Sequence, residues 1–120
     1  EIYKKLGAHP MTYKGKKGIY FGVWAPHAQA VHLVGDFNGW NPEANPMTKV
    51  GQSGIWEYFN AGMQVGELYK FAITTDTGKI LFGAQFGGGV AKKGGGQFFR
   101  SDAAAVVADP NETHAAAAQF

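Results

Sequence analysis

Glycine punctuates this chain, and that limits what it can fold into more than any other feature. Gly15, Gly18, Gly35, Gly39, Gly51, Gly54, Gly62, Gly66 and Gly78 all fall between short apolar runs. Short runs at regular spacing with turn signals between them predict an all-β sandwich or barrel. No window repeats its apolar residues every 3.6 positions, so helices are expected to be few. Residues 19–25 set Ile19, Phe21 and Val23 against Tyr20, Gly22 and Trp24, a strand covered in part on both faces. Pro26 stops it, having no N–H for a ladder. Residues 30–35 form a second strand, with Val31 and Leu33 on one face and His32 and Val34 on the other. In residues 55–60 Glu57 is expected to point to water, which turns Trp56 and Tyr58 inward. Residues 68–74 place Tyr69, Phe71 and Ile73 on one face and Lys70 on the opposite one. Thr75-Asp76-Thr77-Gly78 reads as a tight turn, and residues 79–82 return as the partner strand. Residues 47–50 are a weaker strand candidate.

The last third is built differently. Residues 87–89 and 94–96 are glycine triplets, and eight alanines fall within residues 101–120. Such a stretch buries little and loses much backbone entropy on ordering. It predicts an edge strand near residues 97–99 and then a loosely packed tail, whose Ala runs also suit a helix. The expected organisation is a lead-in over residues 1–15, a sandwich over 16–100 and an Ala-rich tail over 101–120.

A chain of 120 residues suits a single domain and is far short of the roughly 250 that a (β/α)₈ barrel needs. Its 17% charged residues against 45% hydrophobic ones mark it as globular rather than disordered. Eleven basic against nine acidic residues leave a net charge of +2, too weak a field for a nucleic-acid partner. The basic runs Lys14/Lys16/Lys17 and Lys92/Lys93 sit beside glycines and read as solvated turn tips. No apolar run is long enough for a membrane span, and residues 1–5 lead into no export signal. The expected location is the cytoplasm. An opening Glu1 reads as a piece of something longer.

Catalysis finds little support. With zero cysteines there is no disulfide framework, thiolate metal site or cysteine nucleophile. Asp36, Glu43, Glu57 and Glu67 are scattered, whereas glycoside cleavage needs two carboxylates at a fixed separation. His9, His27, His32 and His114 match no metal spacing, and Ser53 and Ser101 lie in no nucleophile elbow. Gly94–Gly96 lacks the lysine and hydroxyl frame of a phosphate loop. No catalytic residue, metal or cofactor is expected.

The informative segment is Val34-Gly35-Asp36-Phe37-Asn38-Gly39-Trp40-Asn41-Pro42. Turn chemistry accounts for its small polar residues but not for a Trp at its tip. Either Trp40 folds back to cap the sandwich, or it stands out as a flat apolar platform. A platform can stack on the C–H face of a sugar while polar neighbours bond the hydroxyls. Asn38, Asn41 and Lys70 are neighbours of the kind such a site needs.

Several ordered motifs resemble one family. They are Tyr3-Lys4-Lys5-Leu6-Gly7-Ala8-His9, Phe21-Gly22-Val23-Trp24-Ala25-Pro26-His27-Ala28, and Val31-His32-Leu33-Val34-Gly35-Asp36-Phe37-Asn38-Gly39-Trp40. Gly54-Ile55-Trp56-Glu57 and Gly66-Glu67-Leu68-Tyr69-Lys70-Phe71 continue the series. Together they resemble the N-terminal, isoamylase-N-type carbohydrate-binding domain of bacterial glycogen (1,4-alpha-glucan) branching enzymes. The Leu-Gly-Ala-His opening distinguishes these from isoamylases and from the glycogen-binding domain of the AMP-activated kinase β subunit.

The resemblance implies an immunoglobulin-like β-sandwich that accompanies a catalytic barrel and binds α-glucan (glycogen) without itself reacting. It implies an enzyme that moves α-1,4-glucan segments to α-1,6 branch points, with none of its catalytic residues in this chain. In the kinase-type site two Trp platforms flank a Lys. Trp40 and Lys70 match the first Trp and the Lys, but Lys79, Ile80 and Leu81 stand where the second Trp belongs. The family's continuation after Phe82 is replaced by Gly83-Ala84-Gln85-Phe86-Gly87, so nothing is carried over onto residues 83–120. His9 and Pro10 resemble positions at a join to neighbouring structure, with a capped turn as the other reading. A domain that only orients the barrel, or a protein-interaction module like the kinase β domain, are the alternative functions. The missing Trp favours the first of these.

Overall fold

Alternating apolar residues force strands to share faces, and here they build two sheets packed face to face. The computed structural model describes residues 6–86, 97–100 and 104–109. The strands are β1 (Gly7–Tyr13), β2 (Lys16–Trp24), β3 (Ala30–Gly35), β4 (Thr48–Lys49), β5 (Ile55–Ala61), β6 (Leu68–Thr74), β7 (Ile80–Phe86), β8 (Gln97–Arg100) and β9 (Ala105–Val106). One sheet runs β1-β2-β5-β4, and the other runs β3-β6-β7-β8 with β9 also on β6. All the pairings are antiparallel. Among the described residues the helical content is a single 3-10 turn at Asp36–Asn38, and the fold is an immunoglobulin-like β-sandwich.

The core lies between the inner faces. Ile19, Phe21, Val23 and Trp56 come from the first sheet, and Val31, Leu33, Tyr69, Phe71 and Ile73 from the second. Phe21 meets Tyr69 and Phe71 edge to face, with centroids 4.9 and 6.2 Å away, and Tyr69 meets Phe71 at 5.7 Å. Three rings thus tie the sheets together in the geometry that aromatic quadrupoles prefer. Trp56 donates from Nε1 to the Ala25 carbonyl at 3.0 Å, which satisfies its buried N–H. Lys14 and Gly15 both take positive φ, the two-residue turn whose twist suits the β1–β2 hairpin.

Three expectations are corrected. Residues 7–13 of the supposed lead-in are a full strand, paired along its length with β2. Pro10 disguises it, but β1 is an edge strand, where a missing N–H costs no ladder bond. His9 Nε2 lies 2.5 Å from the Leu6 carbonyl, closing the turn that leads in.

The tail is the second correction. Ala105 and Val107 are 0% exposed and belong to the core. Strand β7 pairs only with residues 71–74 of β6, and β9 takes Leu68 and Tyr69, which β7 leaves bare. The remainder of residues 101–120 lies outside the described residues, as do both glycine triplets. The strand expected near residues 97–99 is β8, on the far edge of the second sheet.

Glu57 is the third correction. It faces outward as its alternation requires, yet is only 6% exposed. Leu6, Val50, Ile55 and Trp24 form a second apolar cluster on that outer face, where Tyr20 is also buried. Cross-strand register puts Gly22 opposite Glu57 on one side and Thr48 on the other.

Candidate functional site

Outward-facing residues of β3, β6 and β7 form a row on the second sheet. Register pairs Val34 with Lys70, His32 with Ala72, and Ala72 with Phe82. Side chains directly or diagonally opposite on one face are within reach of one another. Lys70 Nζ lies 4.6 Å from the centroid of the Phe82 ring. On its other side it lies 5.9 Å from the centroid of Trp40, within the range of cation–π attraction.

Trp40 reaches that position through an unusual backbone. After β3 the chain turns at Asp36–Asn38, and Gly39 follows at φ 68°. Trp40 then sits at φ 60°, a left-handed conformation that costs a bulky residue ~1 kcal/mol or more. Its amide donates to the Gly35 carbonyl at 2.9 Å and its indole Nε1 to Asp36 Oδ1 at 2.8 Å. The ring is half-buried, with its edge held by Asp36 and the Lys70 ammonium toward a face. A strained conformation held by specific bonds is a signature of functional loops.

Asn38 and Asn41 are placed differently from each other. The Asn38 amide donates to the Leu33 carbonyl at 2.9 Å and to Asn45 Oδ1 at 2.8 Å. Its oxygen accepts the Gly35 N–H at 3.1 Å. Both amide hydrogens are therefore committed to the loop, and Asn38 is its clamp rather than a ready donor to ligand. Asn45 extends the clamp to the other sheet by donating to the Tyr58 hydroxyl at 2.8 Å. Asn41 is exposed, and its oxygen accepts the Glu43 N–H at 2.9 Å.

Of the four residues singled out in the sequence, Trp40 and Lys70 come together, Asn41 follows Trp40 on the exposed loop, and Asn38 lies beneath the turn. Phe82 was missed. Its signal is the alternation of β7, which became readable only once the turn at Thr75–Lys79 fixed the register. His32 shares the row, and its Nδ1 is buried with no hydrogen-bond partner among the described residues.

Among the described residues the acidic groups do not converge. Asp36 holds Trp40, Glu57 lies on the other sheet, and Glu67 Oε2 accepts the Gln64 N–H in the turn before β6. Among the described residues no group of His, Asp or Glu could hold a metal. Burial pushes the Tyr69 hydroxyl well above its ordinary range, so it stays protonated within the core.

The fold is a two-sheet sandwich module whose outer face carries two half-buried rings about one ammonium. The family model for carbohydrate-binding module 48 (isoamylase N-terminal domain) matches residues 5–111, and the chain belongs to that family of non-catalytic modules. It is 52% identical over 84 residues to the 1,4-alpha-glucan branching enzyme GlgB of Butyrivibrio fibrisolvens, covering 70% of this chain and 13% of that protein. The GlgB of Chlamydia felis is 49% identical over 81 residues, covering 68% and 11%. The chain thus matches only a small part of these relatives' length. The crystal structure of ligand-free PulA from Klebsiella pneumoniae shares the fold, with a TM-score of 0.55 and 23% identity over 92% of this chain and 10% of that one.

Proposed function

We propose that this module holds α-glucan, glycogen in particular, for the catalytic barrel of a branching enzyme that transfers α-1,4 segments to α-1,6 branch points. The observation that carries the reading is Trp40, held in a strained conformation beside Lys70 on an outer sheet face. Its indole offers a flat apolar surface to a sugar ring, and the ammonium and Asn41 offer hydrogen bonds to hydroxyls. Similarity to GlgB proteins supports glucan as the sugar.

Binding centred on the Trp40 platform should be weak, on the order of millimolar or about −4 kcal/mol. Truncating a central aromatic typically costs about 2 kcal/mol, so Trp40→Ala should weaken binding to maltoheptaose roughly thirty-fold. The loop should survive, because the Asn38 and Asn45 clamps are untouched. NMR titration and affinity electrophoresis on glycogen read both proteins. Equal affinity in the two would move the site elsewhere, and no binding by either would remove the glucan reading.

A purely orienting role is the second reading, and one observation favours it. A shallow groove of about 350 Å³ is lined by Pro10, Met11, Ile19, Met63 and the exposed Val65. An open apolar groove of this kind suits contact with the rest of the parent protein.

A further inference from the structure

The geometry assigns Phe82 as the second aromatic wall of the proposed site, so that a glucan segment crosses β6 with one sugar on Trp40 and another on Phe82. This rests on the glucan reading above and extends it. Strand order in the second sheet is β3-β6-β7. Trp40 hangs from the end of β3 through its bond to the Gly35 carbonyl, Lys70 stands on β6, and Phe82 stands on β7. The two rings therefore lie on opposite sides of the ammonium, at 5.9 and 4.6 Å from it. Adjacent strands are about 4.8 Å apart, so rings supported by β3 and β7 are separated by roughly two strand spacings. That gap admits successive sugars rather than both faces of one.

Phe82 is half-buried, and it sits opposite Ala72, whose side chain is too small to lift the ring away from Lys70. The ligand direction follows from this placement. The glucan runs across the strands, and Lys70 meets the hydroxyls between two stacked rings.

The competing role for Phe82 is to cover Ala72 and the Lys70 stem. Phe82→Leu separates the two, because leucine keeps the apolar cover and lacks the flat face. Titrated with maltoheptaose, Phe82→Leu should bind roughly five-fold more weakly than the unaltered chain at an unchanged thermal midpoint. Phe82→Trp should bind at least as tightly as the unaltered chain. In the unaltered protein the ring protons of both Phe82 and Trp40 should shift on titration, a readout that does not depend on how any variant folds. If Phe82→Leu binds as the unaltered chain does while Trp40→Ala loses affinity, Phe82 is only cover and the glucan reading stands. A Phe82 ring that does not shift while Trp40 does leads to the same conclusion. Failure of the unaltered chain to titrate removes both.

Discussion

Gly35 leaves no room for a methyl group. A Cβ there would lie 2.7 Å from the Leu68 carbonyl oxygen and 2.8 Å from the Phe37 ring. Its φ of −176° is ordinary extended backbone, so crowding rather than conformation requires glycine. Backbone from β6 cannot move aside, and Gly35→Ala should destabilise the domain by about 2 kcal/mol. Urea unfolding measures it, and a midpoint within error of the parent would show that the loop relaxes. The same substitution should weaken maltoheptaose binding, since Trp40 hangs from the Gly35 carbonyl. At this scale much of the site is legible in sequence. A Trp inside a Gly/Asn turn and a Lys on the outward face of an alternating strand both announce themselves. Asn38 does not, because the choice between ligand donor and loop clamp depends on where Leu33 and Asn45 lie. Phe82 does not either, because a residue beyond a hairpin turn changes faces with a slip of one in register.

Strand β9 carries the largest gap between what the sequence implies and what the fold contains. Ala-Ala-Ala-Val-Val-Ala has no alternation, suits a helix as well as a coil, and follows a glycine-rich stretch. Two residues suffice to complete β6, since the need comes from bare backbone on Leu68 and Tyr69 rather than from propensity. Val107 N–H also donates to the Glu67 carbonyl and the Gly66 N–H to the Val107 carbonyl, at 2.9 and 2.8 Å. Val107→Ala should therefore cost roughly 2 kcal/mol, and removing residues 101–120 should lower the thermal midpoint sharply. Calorimetry of the two proteins decides, and an unmoved midpoint would return this segment to the status of a tail. The long strands β2, β3, β5 and β6 were legible from period alone. Glu57 shows where period stops. It names a face correctly and says nothing about what covers that face.

The sandwich as a whole is joined by Phe21, Tyr69 and Phe71, and this gives its stability an alkaline limit. Tyr69 holds its proton to higher pH in the folded chain than in the unfolded one, because burial disfavours the phenolate. Its contribution is complete below the unfolded value of about 10 and is lost as pH rises beyond it, where only the unfolded chain releases the proton. Urea midpoints measured from pH 8 to 11 should fall above pH 10, and Tyr69→Phe should flatten that limb. An identical slope in both proteins would assign the loss to other groups. Core and proposed glucan face share one strand, since β6 sends Tyr69 and Phe71 inward and Lys70 outward. The left-handed backbone at Trp40 carries a consequence for descent. Its conformation suits glycine or asparagine, so folding alone draws this position away from tryptophan with every mutation that arises. Only a use for the indole opposes that drift. Among diverging copies of this module, glycine at the corresponding position would accompany loss of the proposed glucan contact, and tryptophan its retention.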